Sequence, residues 1–300
     1  MYVVTGASGN TGSTLAYALL DAGQQVRVIA RNPDHLRPFA ARGAETVSAD
    51  LTDTAKLTTA FTGAKGVYVM IPPNLSVPDY AAYQSQVTSA LASALAKAKV
   101  PYVVSLSSVG ADKPSGTGPV LGLHRLEEAL NSISGLNTMH LRAGYFMENT
   151  LAQVGVIPTM GKTAGPVRPD LKVAMIAASD IGAVAADELL KLNFQGHQTR
   201  ELLGERDISY NEATAIIGKA IGKPGLTYIQ LPDEQLLPAF TNMGMPENLV
   251  KLLLEMTSAM NAGYMRPLEA RSPRNTTPTS FETFVKEKFL PAYQQASAAA

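Results

Sequence analysis

An α/β fold with a doubly wound parallel sheet is predicted by three features of the sequence. The first is a glycine-rich turn, within residues 3–12, that joins an apolar strand to a helix. The second is the repeated alternation of strand and helix patterns up to about residue 142. The third is the loss of this alternation from about residue 143 onward, which indicates a smaller C-terminal α/β lobe. The predicted architecture is therefore of the Rossmann type, in which ligands bind at the carboxyl ends of the strands.

The turn at the end of the first strand predicts a phosphate-binding site. Gly6 permits a sharp turn, Gly9 lets the backbone approach a pyrophosphate, and Gly12 lets the helix pack against the strand. The following helix points its free N–H groups and the positive end of its dipole at the same place. The expected cofactor contacts in this turn are Gly6, Ser8, Gly9, Asn10, Thr11 and Gly12.

The end of the second strand, residues 25–31, indicates which dinucleotide binds. An acidic residue there would accept hydrogen bonds from the ribose 2′-hydroxyl, whereas this strand ends in Ala30 and Arg31. A cation suits a 2′-phosphate, so NADP(H) is preferred over NAD(H). The alternative is that Arg31 is an ordinary solvated arginine. Asp50, after the third strand, is expected beside the adenine.

The fourth strand, residues 66–71, is a continuous apolar run, which is typical of a parallel strand buried on both faces. Because the run stops at two prolines, Ile71, Pro72 and Pro73 are expected beside the nicotinamide end of the cofactor. Asn74 follows them and is assigned to the substrate pocket.

Candidate catalytic residues follow the fifth strand, residues 100–106, which comes after a long helix over residues 79–97. This strand brings Ser107 and Ser108 to the carboxyl edge of the sheet. The next helix carries His124, which could donate a proton near neutral pH or could be an ordinary hydrogen-bonded helix histidine. Ser107, Ser108 or His124 is expected to hydrogen-bond the acceptor.

The turn after the sixth strand, residues 137–142, is dense in large side chains. It places Tyr145, Phe146 and Asn149 in the expected substrate pocket. A group of methionines and aromatic residues within residues 236–265 fits either the core of the second lobe or a pocket for flat apolar substrates.

The predicted domain organisation has two parts and a tail. The NADP(H)-binding domain comprises residues 1–142 and about 179–198, and the smaller lobe comprises residues 143–178 and 199–293. Residues 294–300 are expected to form a disordered tail.

Composition disfavours several functional classes. The 25 basic residues equal the 25 acidic residues, and no dense basic run occurs, so direct nucleic-acid binding is not expected. With no cysteine and four histidines, neither disulfides nor a metal site are expected. Since no signal-peptide pattern or membrane-length apolar run is visible, we expect a cytoplasmic protein without membrane contact.

The motifs, in their order along the chain, resemble the NmrA-like branch of the atypical short-chain dehydrogenase/reductases over nearly the whole length. This branch includes NADP(H)-sensing regulators, quinone reductases and triphenylmethane-dye or azo-dye reductases. A proline is usual in this branch where Ala143 stands. The matching motifs are the turn at residues 5–12, Ala30-Arg31-Asn32, residues 65–73, His124 with Glu127, residues 141–149, and Ser179-Asp180-Ile181.

The sequence contains no Tyr-x-x-x-Lys pair. Mainstream short-chain reductases use that tyrosine to protonate a basic alkoxide, whereas hydride addition to a quinone forms a stabilised anion that a weak donor or water can protonate. The resemblance and this absence together favour an NADPH-dependent reductase of quinone-like or other conjugated small-molecule acceptors. The alternative is a non-catalytic NADP(H) redox sensor that regulates a partner protein. A homodimer is compatible with both interpretations.

Overall fold

Strands and helices alternate through the first half of the molecule. The computed structural model describes residues 1–299. A 3-10 turn over Pro33–Leu36 leads into the second helix. The elements of this half are β1 (Tyr2–Thr5), α1 (Asn10–Asp21), β2 (Val26–Ala30), α2 (Arg37–Ala40), β3 (Glu45–Ser48), α3 (Thr54–Phe61), β4 (Gly66–Val69), α4 (Tyr80–Ala98), β5 (Tyr102–Ser108), α5 (Val120–Asn131) and β6 (Asn137–Ala143).

The second half has shorter strands and more irregular connections. A 3-10 segment over Met147–Ala152 precedes its first helix, and a π-helical segment over Val285–Phe289 precedes its last. The elements of this half are β7 (Tyr145–Phe146), α6 (Gln153–Met160), β8 (Thr163–Gly165), β9 (Val173–Ile176), α7 (Ala178–Lys191), β10 (His197–Leu202), β11 (Asp207–Ile208), α8 (Tyr210–Ala220), β12 (Tyr228–Gln230), α9 (Asp233–Asn242), α10 (Glu247–Asn261), α11 (Phe281–Phe284) and α12 (Leu290–Ala299).

Seven parallel strands form the main sheet, in the order β10-β6-β5-β4-β1-β2-β3. The order reverses between β1 and β4, so their carboxyl ends border the crevice where ligands of doubly wound sheets bind. The Rossmann-type α/β prediction is confirmed. The last strand of this sheet, β10, comes from the second half of the chain and pairs with β6.

Both faces of the sheet are covered by apolar side chains. On one face α1 and α7 contribute Leu15, Leu19 and Leu189 to the core, and on the other α3 and α4 contribute Leu57 and Leu91. A parallel strand covered on both sides has no face for polar residues, which explains the apolar run of β4.

The second lobe has its own apolar core and two small sheets, β11-β9-β7 and β12-β8. Phenylalanines near the C-terminus, Phe281, Phe284 and Phe289, are almost fully buried in this core. The lobe lies over the carboxyl ends of β4, β5 and β6, where its residues line a cavity with those strand ends.

The C-terminal segment differs from the predicted disordered tail. Helix α12 continues through Ala299, while Ala300 lies outside the described residues. The Tyr293 ring stacks on Phe289 with 6.4 Å between ring centroids, and Ser297 Oγ donates to the Tyr293 carbonyl at 2.8 Å. These contacts, together with residues of good helix propensity, explain why residues 294–299 are helical where a disordered tail was predicted. Strand β10 also extends beyond the predicted limit at residue 198, to Leu202; the division into domains stays a prediction.

A neutral histidine is buried between β5, β6 and α5. His140 Nδ1 lies 2.6 Å from Ser105 Oγ, and its Nε2 lies 2.9 Å from Asn131 Oδ1. Because the Asn131 oxygen can only accept, Nε2 carries the proton and Nδ1 accepts from the serine. Burial lowers the pKa of His140 to about 4.

We expect the stability of the protein to fall as the pH is lowered from about 6.5 toward 4. In this window the unfolded chain protonates His140 while the folded chain does not, so the stabilisation is complete above pH 6.5. The pKa difference predicts a loss of about 2 kcal/mol in unfolding free energy between pH 7.5 and pH 5. Urea unfolding at the two pH values measures it. His140→Gln should lose this part of the pH dependence, and the exposed-site control His35→Gln should keep it.

Candidate active site

A cavity of about 390 Å³ opens at the carboxyl ends of β4, β5 and β6. One wall belongs to the sheet edge and the opposite wall to the second lobe. The sheet side includes Met70, Ile71, Leu106, Ser107, Ser108 and Ala143, and the lobe side includes Leu171, Lys172, Met256, Met260, Met265 and Arg266. A mostly apolar, concave site with a few polar groups is typical of small-molecule binding.

The glycine turn beside this cavity fits an anionic ligand. Gly6 has φ +61°, a conformation that favours glycine, and a Cβ at Gly12 would lie 2.4 Å from the Gly6 carbonyl oxygen. Gly9 is exposed, and a Cβ there would meet a single atom within 4 Å, at 3.3 Å. Helix α1 begins next, and no side chain of the described residues caps its first turn. Its free N–H groups are therefore available to a phosphate.

The polar side chains of this turn point in different directions. Ser8 and Asn10 are exposed, whereas Thr11 is buried and its Oγ1 accepts a hydrogen bond from the Tyr68 hydroxyl at 3.0 Å. Thr11 can therefore serve a cofactor through its backbone N–H in the first turn of α1, while its hydroxyl oxygen is engaged with Tyr68. Sequence reasoning did not separate the backbone of this residue from its side chain.

The residues predicted to hold the adenosine half lie along one stretch of the sheet edge. Arg31 and Asp50 are both exposed. Burial raises the pKa of Tyr83 to about 12, with the charge of Arg31 lowering it and that of Asp50 raising it, so both charges act on the same phenol. The Tyr83 hydroxyl donates to the Pro72 carbonyl at 3.1 Å. The ends of β2, β3 and β4 thus present these groups side by side.

A buried network fixes one of the predicted catalytic serines. The strand register places Ser107 beside Arg142, and Ser107 Oγ donates to Glu127 Oε1 at 2.5 Å. Arg142 donates two hydrogen bonds to the same carboxylate, from Nε to Oε1 at 3.0 Å and from Nη2 to Oε2 at 2.6 Å. The hydrogen bond with Glu127 is the main cause that raises the pKa of Arg142. Since its proton is committed to Glu127, Ser107 is arranged to accept hydrogen bonds from a ligand.

His124 does not line the cavity, contrary to the catalytic role considered for it. Its Nδ1 lies 2.8 Å from the Ala111 carbonyl, so Nδ1 carries the proton, and its Nε2 lies 3.4 Å from Glu128 Oε1. Both ring nitrogens face protein groups, which favours the alternative of an ordinary hydrogen-bonded helix histidine. We do not retain His124 as a proton donor.

Three of the four predicted substrate-pocket residues line the cavity: Tyr145, Phe146 and Asn149. The fourth, Asn74, does not line it, and its Oδ1 accepts from Ser76 Oγ at 3.0 Å within the loop. Burial raises the pKa of Tyr145, and hydrogen bonds with Tyr210 and Asn149 oppose this rise. Ser107 donates to Glu127, and Ser108 Oγ donates to the Val109 carbonyl at 2.9 Å, so both serine protons are used within the protein. Of the predicted residues that line the cavity, Tyr145 keeps a hydroxyl that can donate to a ligand.

Ile71 and Pro73 line the cavity, whereas Pro72 contributes its carbonyl to Tyr83, and their place beside the nicotinamide stays a prediction. Sequence reasoning missed other lining residues. Gln84 had a signal, since it precedes Val87 and Leu91 at helical spacing on the buried face of α4. No sequence signal marked the charged lining residues Lys172, Asp207 and Arg266, because they belong to no motif.

Other kinds of site are not seen in the part of the chain that the structure describes. Within residues 1–299, none of the helices has the length and apolar character required to span a bilayer. In the same residues, no three His, Cys, Asp or Glu side chains are grouped so that they could hold a metal ion.

Comparison with known proteins gives the family. Residues 2–285 match the NmrA-like family. The NAD(P)H azoreductase of Xenophilus azovorans is 30% identical over 278 residues, covering 92% of this chain and 93% of that protein. Quinone oxidoreductase 2 of Escherichia coli is 28% identical over 268 residues, covering 88% of this chain and 89% of that protein. The crystal structure of the NADPH-dependent quinone oxidoreductase from Escherichia coli, complexed with NADPH, has a TM-score of 0.77 at 23% identity, covers 100% of this chain and 99% of its own, and shares the fold. The resemblance carried by the motifs is confirmed: the chain belongs to the NmrA-like family.

Proposed function

We propose that this protein is an NADPH-dependent reductase that transfers hydride to quinone-like or other conjugated acceptors. The observation that carries the proposal is the mostly apolar cavity at the sheet edge, next to a glycine turn whose helix N–H groups are free. Two relatives support it. One is named an NAD(P)H azoreductase and the other a quinone oxidoreductase, and both azo compounds and quinones are conjugated acceptors.

Each part of the cofactor has matching residues in this chain. Gly6, Gly9 and the first turn of α1 fit the pyrophosphate, and Arg31 suits the 2′-phosphate. Asp50 is proposed beside the adenine, and Ile71 and Pro73 beside the nicotinamide. When bound, the nicotinamide ring supplies the hydride.

The polar groups of the cavity fit an acceptor whose reduced form is a weak base. Hydride addition to a simple ketone forms a strongly basic alkoxide that requires a positioned acid. The cavity offers the hydroxyl of Tyr145, and burial raises the pKa of Tyr145 above that of an ordinary phenol. Such a donor suffices for a delocalised anion, which it stabilises by hydrogen bonding. Ser107, as an acceptor, suits a ligand N–H group.

Steady-state oxidation of NADPH with a panel of acceptors tests the proposal. We expect turnover with quinones, and none with simple ketones of similar size. Tight NADPH binding without turnover of any acceptor would reject the reductase and favour the redox sensor. A pull-down of partner proteins with and without the cofactor would then be the next measurement.

Arg31→Ala is expected to weaken NADPH binding about tenfold or more while NADH binding is little changed. A charge-assisted contact to a phosphate contributes about 1.5–3 kcal/mol, and NADH lacks this phosphate. Calorimetric titration with both cofactors measures the difference. Arg37→Ala is the matched control, since Arg37 is similarly exposed and forms an ion pair with Asp34. Equal losses for NADPH and NADH would remove the basis for the NADP(H) preference.

A further inference from the structure

The charged residues of the cavity all lie on its lobe side. Three charged residues line the cavity: Lys172, Asp207 and Arg266. The other lining residues are apolar or neutral. The Asp207 carboxylate is bound by Arg271, whose guanidinium also donates to the Gly204 carbonyl at 2.6 Å. Because Arg271 compensates the single negative charge, this side of the cavity carries an excess of positive charge.

Both cations are available to a ligand. Arg266 is exposed, and no residue of 1–299 forms an ion pair with its guanidinium. Lys172 Nζ lies 3.3 Å from Glu212 Oε1, but the two side chains are 63% and 49% exposed. Exposed pairs of this kind contribute little, so Lys172 can exchange Glu212 for a ligand at small cost.

The position of Arg266 in the fold separates it from the cofactor phosphates. The buried carboxylate of Glu201, on β10, accepts the backbone N–H groups of Leu268 at 2.9 Å and Glu269 at 2.8 Å. This fixes the loop of residues 266–269 to one edge of the sheet. The glycine turn follows β1, and β6, β5 and β4 lie between β10 and β1. A negative group beside Arg266 therefore belongs to the acceptor and not to the cofactor pyrophosphate.

We propose that the cavity takes flat apolar acceptors that carry a carboxylate or sulfonate, with Arg266 and Lys172 binding that anionic group. This inference rests on the proposed reductase function. The planar guanidinium of arginine matches the two oxygens of such a group. Met256, Met260 and Met265 line the same cavity, where their flexible side chains can cover the faces of a ring. The acceptor thus lies with its reducible end toward β4 and β5 and its anionic end toward the second lobe.

Two acceptors with one ring system test the inference. Both are naphthoquinones with a two-carbon side chain, which ends in a carboxylate in one and in an amide in the other, so the quinone itself is unchanged. We expect a lower KM for the carboxylate. Arg266→Gln should raise this KM about tenfold, and Lys172→Gln about threefold, as expected for a charge-assisted contact and a more exposed one. The KM for the amide should change much less, so the ratio of the two KM values is the readout. Added salt should raise the KM for the carboxylate alone.

Lys97→Gln is the control, because Lys97 is exposed near the end of α4, at the amino-terminal edge of the sheet. It should leave both acceptors unaffected. The inference is overturned if Arg266→Gln keeps the wild-type ratio of the two KM values. If the wild type oxidises NADPH with neither quinone, the reductase proposal fails. Calorimetric titration with the matching naphthalene carboxylate and amide then still tests whether the cavity binds an anionic group through Arg266. A carboxylate preference that Arg266→Gln removes supports it, and equal binding of the two compounds overturns it.

Discussion

Gly9→Val is expected to abolish NADPH binding in a protein that still folds. Gly9 has φ −87° and ψ 171°, an extended conformation that valine adopts readily. Its Cβ would lie 3.3 Å from the Gly6 carbonyl oxygen, so folding requires only a small adjustment. The branched side chain would nevertheless fill the space in front of the free N–H groups of α1, where a pyrophosphate would bind. We expect the dissociation constant to rise about 100-fold or more, which corresponds to about 3 kcal/mol.

Calorimetric titration with NADPH, on protein shown to be folded by circular dichroism, measures this effect. Gly225→Val is the matched control, because a side chain at Gly225 meets nothing within 4 Å and the backbone there requires no glycine. It should bind NADPH like the wild type. Retained affinity in the Gly9 variant would contradict the assignment of the turn to the cofactor.

The second large effect is expected at the buried pair of Glu127 and Arg142, whose side chains are 7% and 13% exposed. Glu127→Leu or Arg142→Leu leaves the other charge buried without its partner, which costs about 3–5 kcal/mol of unfolding free energy. Glu127→Leu also removes the acceptor of the Ser107 hydroxyl. The double variant buries neither charge, so its loss should be clearly smaller than the sum of the single losses.

Urea unfolding of the wild type, the two single variants and the double variant gives the coupling free energy between Glu127 and Arg142. Asp187→Ala is the control, since its pair with Lys191 lies on the surface, with side chains 47% and 57% exposed. That change should cost at most about 1 kcal/mol. Strictly additive losses at residues 127 and 142 would show that the two charges do not depend on each other.

Features of the fold that arise from local patterns could be predicted from the sequence. The glycine spacing of residues 6–12 and the apolar run of β4 each require a particular backbone, because a side chain at Gly12 would collide with the turn and β4 is covered on both faces. The family resemblance followed from the order of such motifs and is confirmed by the comparisons. The C-terminal helix was missed because its packing against the core of the second lobe, to which Tyr293 contributes, is tertiary.

The direction of individual side chains could not be predicted in this way. The position of His124 on α5 was evident, but its proton is held by the Ala111 carbonyl, which comes from a loop 13 residues earlier. Ser107 reached the expected edge, yet its role as an acceptor depends on Glu127 from the following helix. The packing of the second lobe brings Lys172 and Arg266 from distant loops to one cavity. No local sequence pattern predicts that they line the same cavity.

The anchoring of residues 266–269 to Glu201 separates two requirements that a reductase must meet. The loop is held through backbone N–H groups, which every residue except proline possesses, so its side chains are free to vary while its path is kept. The glycine turn, in contrast, has no room for a side chain at Gly12, where a Cβ would lie 2.4 Å from the Gly6 carbonyl oxygen. Under the proposed binding mode, acceptor choice can diverge during evolution by substitution in one short surface loop, without change to the glycine turn proposed to hold the cofactor.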